Sequence, residues 1–297
     1  MRGKIVLAGL VLVLAGAVTR AQDQTAIATP NELYCSGLVT TESVPHDTYV
    51  ITGEESETKI TFDEGDVVYV NKGSDQGVKP GDEFSVVRAI KDPTFEMEWT
   101  KWQNSILHKM GTVWEDEGRL KVMIARPKVS IARVEHFCNY VQRGDIVLPF
   151  VERPAPPLKS EKDFDRFAPA DGKPMAMVIM GKDFLMGVGS TDIVYVNLGN
   201  AQGVRVGNYF RIFRYHGTQH EMVYQTPRYS FDQEYGMAVP STAIYGFGKV
   251  SPSYDWTNVP REDLGEGIVL RTGPNSSTVL ITLSLRAIYA GDYVELE

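Results

Sequence analysis

The chain has 297 residues, of which 43% are hydrophobic, and its formal net charge is −8 at pH 7. This acidic balance disfavours nucleic-acid binding, which depends on Lys and Arg side chains that neutralise phosphates. The length exceeds that of a typical single domain, so two domains are expected.

Residues 1–21 have the pattern of a secretory signal peptide. Arg2 and Lys4 precede an uncharged, mostly apolar run over 5–18, and Thr19–Ala21 offers a cleavage site between small residues. The run of 14 residues is shorter than a membrane-spanning helix needs, and no later run is long enough. We therefore expect an exported protein of the periplasm, the cell envelope or the extracellular space, with no stable membrane span.

The chain contains two cysteines, Cys35 and Cys138. In an oxidising compartment one disulfide is the natural pairing, and it would tie an extended N-terminal arm over 22–58 to the first module. Two separate buried thiols are the alternative. A metal site is disfavoured because neither cysteine has a nearby pair of histidines in the sequence.

Residues 66–88 are repeated at 192–214. The segments read DVVYVNKGSDQGVKPGDEFSVVR and DIVYVNLGNAQGVRVGNYFRIFR, and 12 of 23 positions are identical without a gap. Each segment has the composition of a strand, a glycine-rich turn and a second strand. Lys79–Asp82 fits a type II turn with Pro and Gly at its centre. The repeated turn glycines are Gly73, Gly77 and Gly81 in the first copy and Gly199, Gly203 and Gly207 in the second.

Further short β-rich runs follow each copy, and each ends with a Gly–Asp turn, at Gly144 and Gly291, before a last strand. Short strands separated by glycine turns predict a small closed or half-closed barrel. We therefore predict an all-β fold of two tandem barrel-like modules with short helices. Module 1 would span 59–150 and module 2 would span 173–297, joined by a Pro-rich linker over 151–172.

One helix is predicted over 98–110, where Trp99, Trp102, Ile106 and Met110 recur at helical spacing. We expect the tryptophans to cap a barrel end, and a ligand-binding role is the alternative. No other stretch of the sequence has a helical pattern of comparable strength.

The stretch from Gly207 to Gly291 in module 2 is 21 residues longer than the equivalent stretch from Gly81 to Gly144 in module 1. The extra residues lie in an insertion over 216–262. Aromatic side chains are frequent there among polar residues. They could stack on sugar rings or contact a partner protein, or they could fill a small core. The candidate contact residues are Tyr224, Tyr229, Phe231, Tyr235, Tyr254 and Trp256.

Charged residues recur at the ends of the repeated segment, as Asp66 with Arg88 and as Asp192 with Arg214. Repetition at strand ends favours an internal salt bridge in each module. Contact of the arginine with a ligand carboxylate is the alternative.

No residue pattern indicates catalysis, a metal or a cofactor. His216 and His220 are four residues apart but follow a strand and precede no predicted helix, so the spacing does not place them on one face. The acidic groups at 63–64 and 115–117 lack the spacing of a calcium loop. We predict that the protein is not an enzyme.

The repeated string V-Y-V-N-x-G-x-x-x-G-V-x-x-G-x-x-F-x-x-x-R, followed by the late Gly–Asp, resembles the C-terminal barrel module of flagellar assembly protein T. It also resembles modules of exported envelope proteins that carry lysin-motif (LysM) peptidoglycan-binding domains. The residues that carry the resemblance are Tyr69, Asn71, Gly73, Gly77, Gly81, Phe84 and Arg88, with Tyr195, Asn197, Gly199, Gly203, Gly207, Phe210 and Arg214. The resemblance implies a non-catalytic envelope protein and supplies no catalytic residues.

These observations predict an exported envelope protein that acts as a binding or scaffold module. Its partner would be a cell-wall glycan such as peptidoglycan, or another envelope protein. A component of flagellar or secretion assembly is one alternative. A secreted wall-polymer hydrolase is another, and it would need an acid–base pair in a cleft.

Overall fold

The structure is a computed structural model that describes residues 28–90, 101–157, 159, 164–169, 171–185, 187–215 and 260–297. Several predictions fall outside these residues: the signal peptide, Trp99, His216 with His220, and the six aromatic contact candidates of the insertion. None of the described helices has the length and apolar character needed to cross a membrane.

Two helices and nine strands form the first part of the described chain. They are α1 (Pro30–Tyr34), β1 (Leu38–Thr40), β2 (Val50–Gly53), β3 (Thr61–Phe62), β4 (Val67–Val70), β5 (Glu83–Ile90), α2 (Lys101–Met110), β6 (Thr112–Ala125), β7 (Ser130–Phe137), β8 (Val141–Gln142) and β9 (Ile146–Pro149). Eight strands form the second part: β10 (Met175–Gly181), β11 (Gly187–Val188), β12 (Ile193–Val196), β13 (Tyr209–Arg214), β14 (Glu262–Gly273), β15 (Ser276–Ser284), β16 (Ile288–Tyr289) and β17 (Tyr293–Leu296).

The first part is barrel 1, an antiparallel sheet in the order β2-β4-β7-β6-β5-β9. Its two edges meet at a bridge between Tyr49 and Ile146, and Val50 N donates to Asp145 O at 2.9 Å. β2 lies within 22–58, the segment predicted as an extended arm. Val50 of this strand is completely buried in the barrel core, so this part of the segment belongs to barrel 1. β3 pairs with β8 outside the main sheet.

The second part is barrel 2, a closed barrel in the order β10-β12-β15-β14-β13-β17. Each of its strands has a counterpart at the same place in barrel 1, and β11 pairs with β16 as β3 pairs with β8. The prediction of an all-β fold with barrel-like modules is therefore confirmed. The linker over 151–157 has no helix and almost no strand, as its prolines predict.

The repeated turns have the predicted backbone geometry. Asp82 N donates to Lys79 O at 3.1 Å in the first copy, and Asn208 N donates to Arg205 O at 3.0 Å in the second. The glycine before each donor has a φ of 93° or 86°, which side chains with a Cβ rarely adopt. The second copy can therefore dispense with proline but not with glycine.

Each barrel has its own apolar core, and a third buried cluster lies between them. Val39 of β1 and Met110 of α2 contact Ile179 and Tyr195 of barrel 2 in this cluster. Trp102 packs against the same cluster, so the helix predicted to cap a barrel end lies at the junction of the two barrels. The barrels are joined by this buried contact as well as by the linker.

Candidate binding cleft at the barrel junction

Each barrel carries a bidentate arginine–aspartate pair at one end. In barrel 1, Arg88 Nε and Nη2 donate to the two carboxylate oxygens of Asp145, both at 2.8 Å. In barrel 2, Arg214 binds Asp292 in the same way at 2.6 and 2.7 Å. Burial raises the pKa of both aspartates, while the hydrogen bond from the arginine opposes this rise. Charge-assisted pairs of this geometry fix both side chains.

The salt bridges predicted from the sequence are wrong in their acidic partners. Asp66 binds Lys59 Nζ at 2.5 Å instead of the arginine. Asp192 accepts a hydrogen bond from the backbone N–H of Gly189 at 2.8 Å. Both aspartates stabilise local turns before the first repeated strand.

Strand order explains which aspartate reaches the arginine. β5 lies beside β9, and their register pairs Val87 with Ile146. Asp145 immediately precedes that pair, so its side chain lies next to the side chain that follows Val87. The repeated Gly144 and Gly291 precede the two aspartates with φ values of 87° and 98°. The late Gly–Asp turn is therefore what positions the partner of the arginine.

A second repeated motif, Glu-Asp-x-Gly, lies on the strand beside each arginine. It occupies 115–118 in β6 and 262–265 in β14. A Cβ on Gly118 would lie 2.5 Å from a backbone oxygen of β7, and one on Gly265 would lie 2.0 Å from the equivalent oxygen of β15. The register shifts by one residue at both motifs, which forms a β-bulge. Comparison of the two copies beyond the insertion, at a spacing of 147 residues, would have revealed the motif.

The residue at the x position of this motif differs in character between the barrels. In barrel 2 it is Leu264, which is completely buried in the apolar core. In barrel 1 it is Glu117, which is also completely buried, and its carboxylate oxygens accept no hydrogen bond among the described residues. Arg88 Nη1 lies 3.2 Å from Glu117 Oε1 as an ion pair.

Burial raises the pKa of Glu117 to about 8. Arg88 opposes this shift, whereas Asp145, Glu115 and Asp116 increase it. The leucine of barrel 2 shows that the fold does not need a carboxylate at this position. Buried unsatisfied carboxylates are costly, so they occur more often at functional sites than in structural cores.

A cleft of about 1390 Å³ lies where the two barrels meet, and we call it the junction cleft. Barrel 1 lines it with both members of the Arg88–Asp145 pair and with Tyr49 and Tyr140. Barrel 2 contributes the turn 182–184. Both barrels are therefore needed to form its walls.

Two aromatic rings are exposed at the junction cleft. Tyr49 and Tyr140 are each 41% exposed, and the guanidinium carbon of Arg88 lies 4.7 Å from the ring centroid of Tyr140. The positions equivalent to these tyrosines in barrel 2 are Met177 and Ala287. The backbone oxygens of Tyr49 and Met177 accept from the N–H of Asn71 and Asn197, and those of Tyr140 and Ala287 accept from Arg88 and Arg214. The barrel itself therefore does not require an aromatic residue at either position.

The N-terminal arm, meaning the described residues before β2, holds the two barrels together beside the junction cleft. Tyr195 Oη donates to Ser36 O at 3.0 Å, and burial raises the pKa of this phenol. Asp116 of barrel 1 accepts from Gly37 N at 2.8 Å and binds Arg271 Nη1 of barrel 2 at 3.0 Å. The arm is thus bonded to both barrels through the same few residues.

The predicted disulfide is present, and it fastens the arm to barrel 1. Cys35 and Cys138 are bonded, with their Cα atoms 5.3 Å apart. Cys138 also lines the junction cleft. His136 Nε2 lies 3.4 Å from Cys35 Sγ, a proximity that the sequence did not predict. These three residues are the one group in the described part of the chain whose donor atoms could together hold a metal ion.

The four remaining turn glycines of the repeat occupy positions that disfavour a side chain. Gly77 and Gly203 have φ values of 87° and 90°, and a Cβ on Gly73 or Gly199 would lie 2.1 or 2.3 Å from a backbone oxygen.

The sequence named no acid–base pair for a hydrolase. The junction cleft brings His46 together with the carboxylates of Glu115, Asp116, Asp145 and Asp183. Asp116 and Asp145 are each bound to an arginine. A scan against protein-family models gives no match, and a search of curated proteins gives no match either.

Proposed function

We propose that this chain is a non-catalytic, exported protein of the cell envelope that binds a wall glycan in the junction cleft. The observation that carries the proposal is the pair of exposed rings, Tyr49 and Tyr140, which barrel 2 replaces by Met177 and Ala287. Aromatic rings that are exposed in a cleft and that the fold does not require are candidates for ligand contact.

The chemistry of the cleft suits a sugar polymer. Sugar rings have an apolar face of C–H groups that can lie on an aromatic ring, and hydroxyl groups that need polar partners. The cleft offers Tyr49 and Tyr140 for the first, and Arg143, Lys182 and Asp183 for the second. The acidic residues lining the same cleft disfavour a strongly anionic ligand such as a nucleic acid.

The arrangement is also preorganised. The arm, the disulfide and the Asp116–Arg271 pair join the barrels on the side of the cleft. A binding site between two bodies that are held together loses less conformational entropy when the ligand binds. Residues on the two sides of the cleft can therefore act on one ligand.

The test is co-sedimentation of the mature protein with isolated peptidoglycan. The test variant combines Tyr49→Met and Tyr140→Ala, which install the residues of barrel 2 and should leave the fold intact. The control variant is Phe167→Ala, which removes a ring that is 75% exposed away from the cleft. We expect the wild type and the control to sediment and the double variant to remain in the supernatant.

A further variant separates the cleft from the insertion. The deletion should remove 216–259 and spare Arg261, because Arg261 Nη1 binds Glu295 at 2.7 Å and its guanidinium carbon lies 4.6 Å from the ring centroid of Phe213. Sedimentation of this deletion variant supports the cleft as the site. Loss of sedimentation on deletion alone would move the site to the insertion, and a folded wild type that stays in the supernatant would refute glycan binding.

A further inference from the structure

The disulfide of this protein lies within a cluster that has a second possible chemistry. One ligand atom each from Cys35, His136 and Cys138 can be chosen so that all three lie within 4.8 Å of one another. Two cysteine sulfurs and an imidazole nitrogen are the donors that zinc and related thiophilic cations prefer. While the sulfurs are bonded to each other they are not thiolates, so the oxidised protein lacks these ligands.

The cluster is not a requirement of the barrel. Register pairs Gly118 with Phe137 in barrel 1 and Gly265 with Ser284 in barrel 2, which makes these pairs equivalent. The positions of His136 and Cys138 therefore correspond to Leu283 and Leu285. Barrel 2 forms the same strand end with two leucines, so the polar cluster is an addition specific to barrel 1.

The spacing already suits part of a metal site. Metal–sulfur bonds of about 2.3 Å and metal–nitrogen bonds of about 2.0 Å in a tetrahedron separate sulfur from nitrogen by about 3.5 Å. Cys35 Sγ and His136 Nε2 are 3.4 Å apart. Once the S–S bond is broken, the two sulfurs need to separate to about 3.8 Å, which side-chain rotation can supply.

The cluster is also accessible from solvent. Cys138 and His136 are half-buried, and Cys138 lines the junction cleft. Cys35 is buried beneath them at the end of α1. A small reductant or a cation in the cleft can therefore approach the cluster without unfolding of either barrel.

We propose that reduction of the Cys35–Cys138 bond by a dithiol converts this cluster into a Cys₂His site for a thiophilic divalent cation. The dithiol gives two electrons and two protons to the protein disulfide and is itself oxidised to a disulfide. The cation then displaces one proton from each thiol and binds two thiolates and the neutral imidazole. A water molecule takes the fourth position, as in zinc sites that have three protein ligands.

The test is a Co²⁺ titration of the mature protein before and after reduction by a dithiol that is then removed without air. We expect the reduced protein to bind one Co²⁺ with thiolate-to-cobalt charge-transfer absorption, which Zn²⁺ should abolish by displacement. The oxidised protein should show no such absorption. His136→Leu, which installs the residue of barrel 2, should weaken binding by at least about tenfold. His108→Ala is the control, because His108 lies exposed on α2.

Three results would overturn the proposal. They are the absence of charge-transfer absorption in the reduced protein, equal binding by the oxidised form, and unchanged affinity in His136→Leu. Circular dichroism of the reduced protein with and without Zn²⁺ covers the case in which reduction unfolds the chain. Zn²⁺ should then restore the folded spectrum, and failure to restore it would also refute the site.

Discussion

Replacement of Glu117 by leucine should stabilise the protein, and the gain should increase with pH. The substitution installs the residue that barrel 2 has at this bulge, Leu264, which is fully buried. It removes a carboxylate that accepts no hydrogen bond among the described residues. Arg88 keeps its bidentate bond to Asp145, just as Arg214 has Asp292 as its partner in barrel 2.

The magnitude follows from the raised pKa of Glu117. Burial raises this pKa from 4.5 to about 8, so between these pH values the folded protein holds a proton that the unfolded chain has lost. The stability contributed by that proton is complete below about pH 4.5 and is lost as the pH rises through about 8. Each pKa unit corresponds to about 1.4 kcal/mol, so the advantage of the leucine variant should grow by roughly 3–5 kcal/mol from pH 5 to pH 9.

Urea denaturation of the disulfide-bonded wild type and of Glu117→Leu, at intervals from pH 5 to pH 9, measures this difference. The reciprocal variant Leu264→Glu is the matched control, and it should transfer the pH dependence to barrel 2 while lowering stability. A pH-independent difference between Glu117→Leu and the wild type would contradict a buried carboxyl with a raised pKa. A leucine variant that is less stable at every pH would contradict the equivalence of the two positions.

Three other substitutions or treatments test the contacts described above. Asp145→Ala should lower the free energy of unfolding by about 3 kcal/mol because it leaves the half-buried Arg88 without its bidentate partner. Asp66→Ala should lower it by no more than about 1 kcal/mol, and similar losses in urea denaturation would contradict the assigned ion pair. Arg271→Ala should accelerate amide hydrogen exchange in β1, since it removes the bond to Asp116; unchanged exchange there would show that this bond does not hold the arm. Reduction of the disulfide without added metal should lower the free energy of unfolding by about 2–5 kcal/mol, because the bond closes a long loop. The shift in the denaturation midpoint measures this loss, and no shift would mean that the bond does not constrain the unfolded chain.

The sequence predicted the parts of the fold that backbone geometry controls. The turn at Gly81 and its copy at Gly207 depend on a positive φ, which leaves a glycine in the sequence in both copies. The runs of β-branched residues gave the strands, and the duplication gave two modules. The disulfide was predicted from two observations: the chain has two cysteines, which allow one pairing, and residues 1–21 have the pattern of a signal for export to an oxidising compartment.

The ion pairs were predicted wrongly because repetition identifies equivalent residues but not neighbours. Asp66 and Arg88 recur together, yet the strands that they flank, β4 and β5, are not adjacent in the barrel. The correct partner, Asp145, lies 57 residues from Arg88 in the chain and becomes its neighbour only through the pairing of β5 with β9. Side-chain partners of this kind depend on sheet order.

The junction cleft could not be predicted because its parts look alike in the two copies or look unimportant in the sequence. Tyr195 is buried between the barrels, whereas its repeat mate Tyr69 is only half-buried, although both occur in the same motif. Tyr140 has no aromatic mate, and this difference is visible only after the copies are aligned beyond the insertion. Contact between two modules leaves no periodic signal in either one.

Hydrogen–deuterium exchange of the protein without residues 1–21, measured with and without soluble peptidoglycan fragments, tests the central claim most directly. If the fragments bind in the junction cleft, we expect them to slow exchange in three segments that are far apart in the sequence. These segments are the start of β2 near Tyr49, residues 138–145, and the turn 182–184. Protection confined to 216–259 would place the ligand on the insertion. Unchanged exchange throughout, at fragment concentrations that saturate known wall-binding proteins, would contradict glycan binding by this protein.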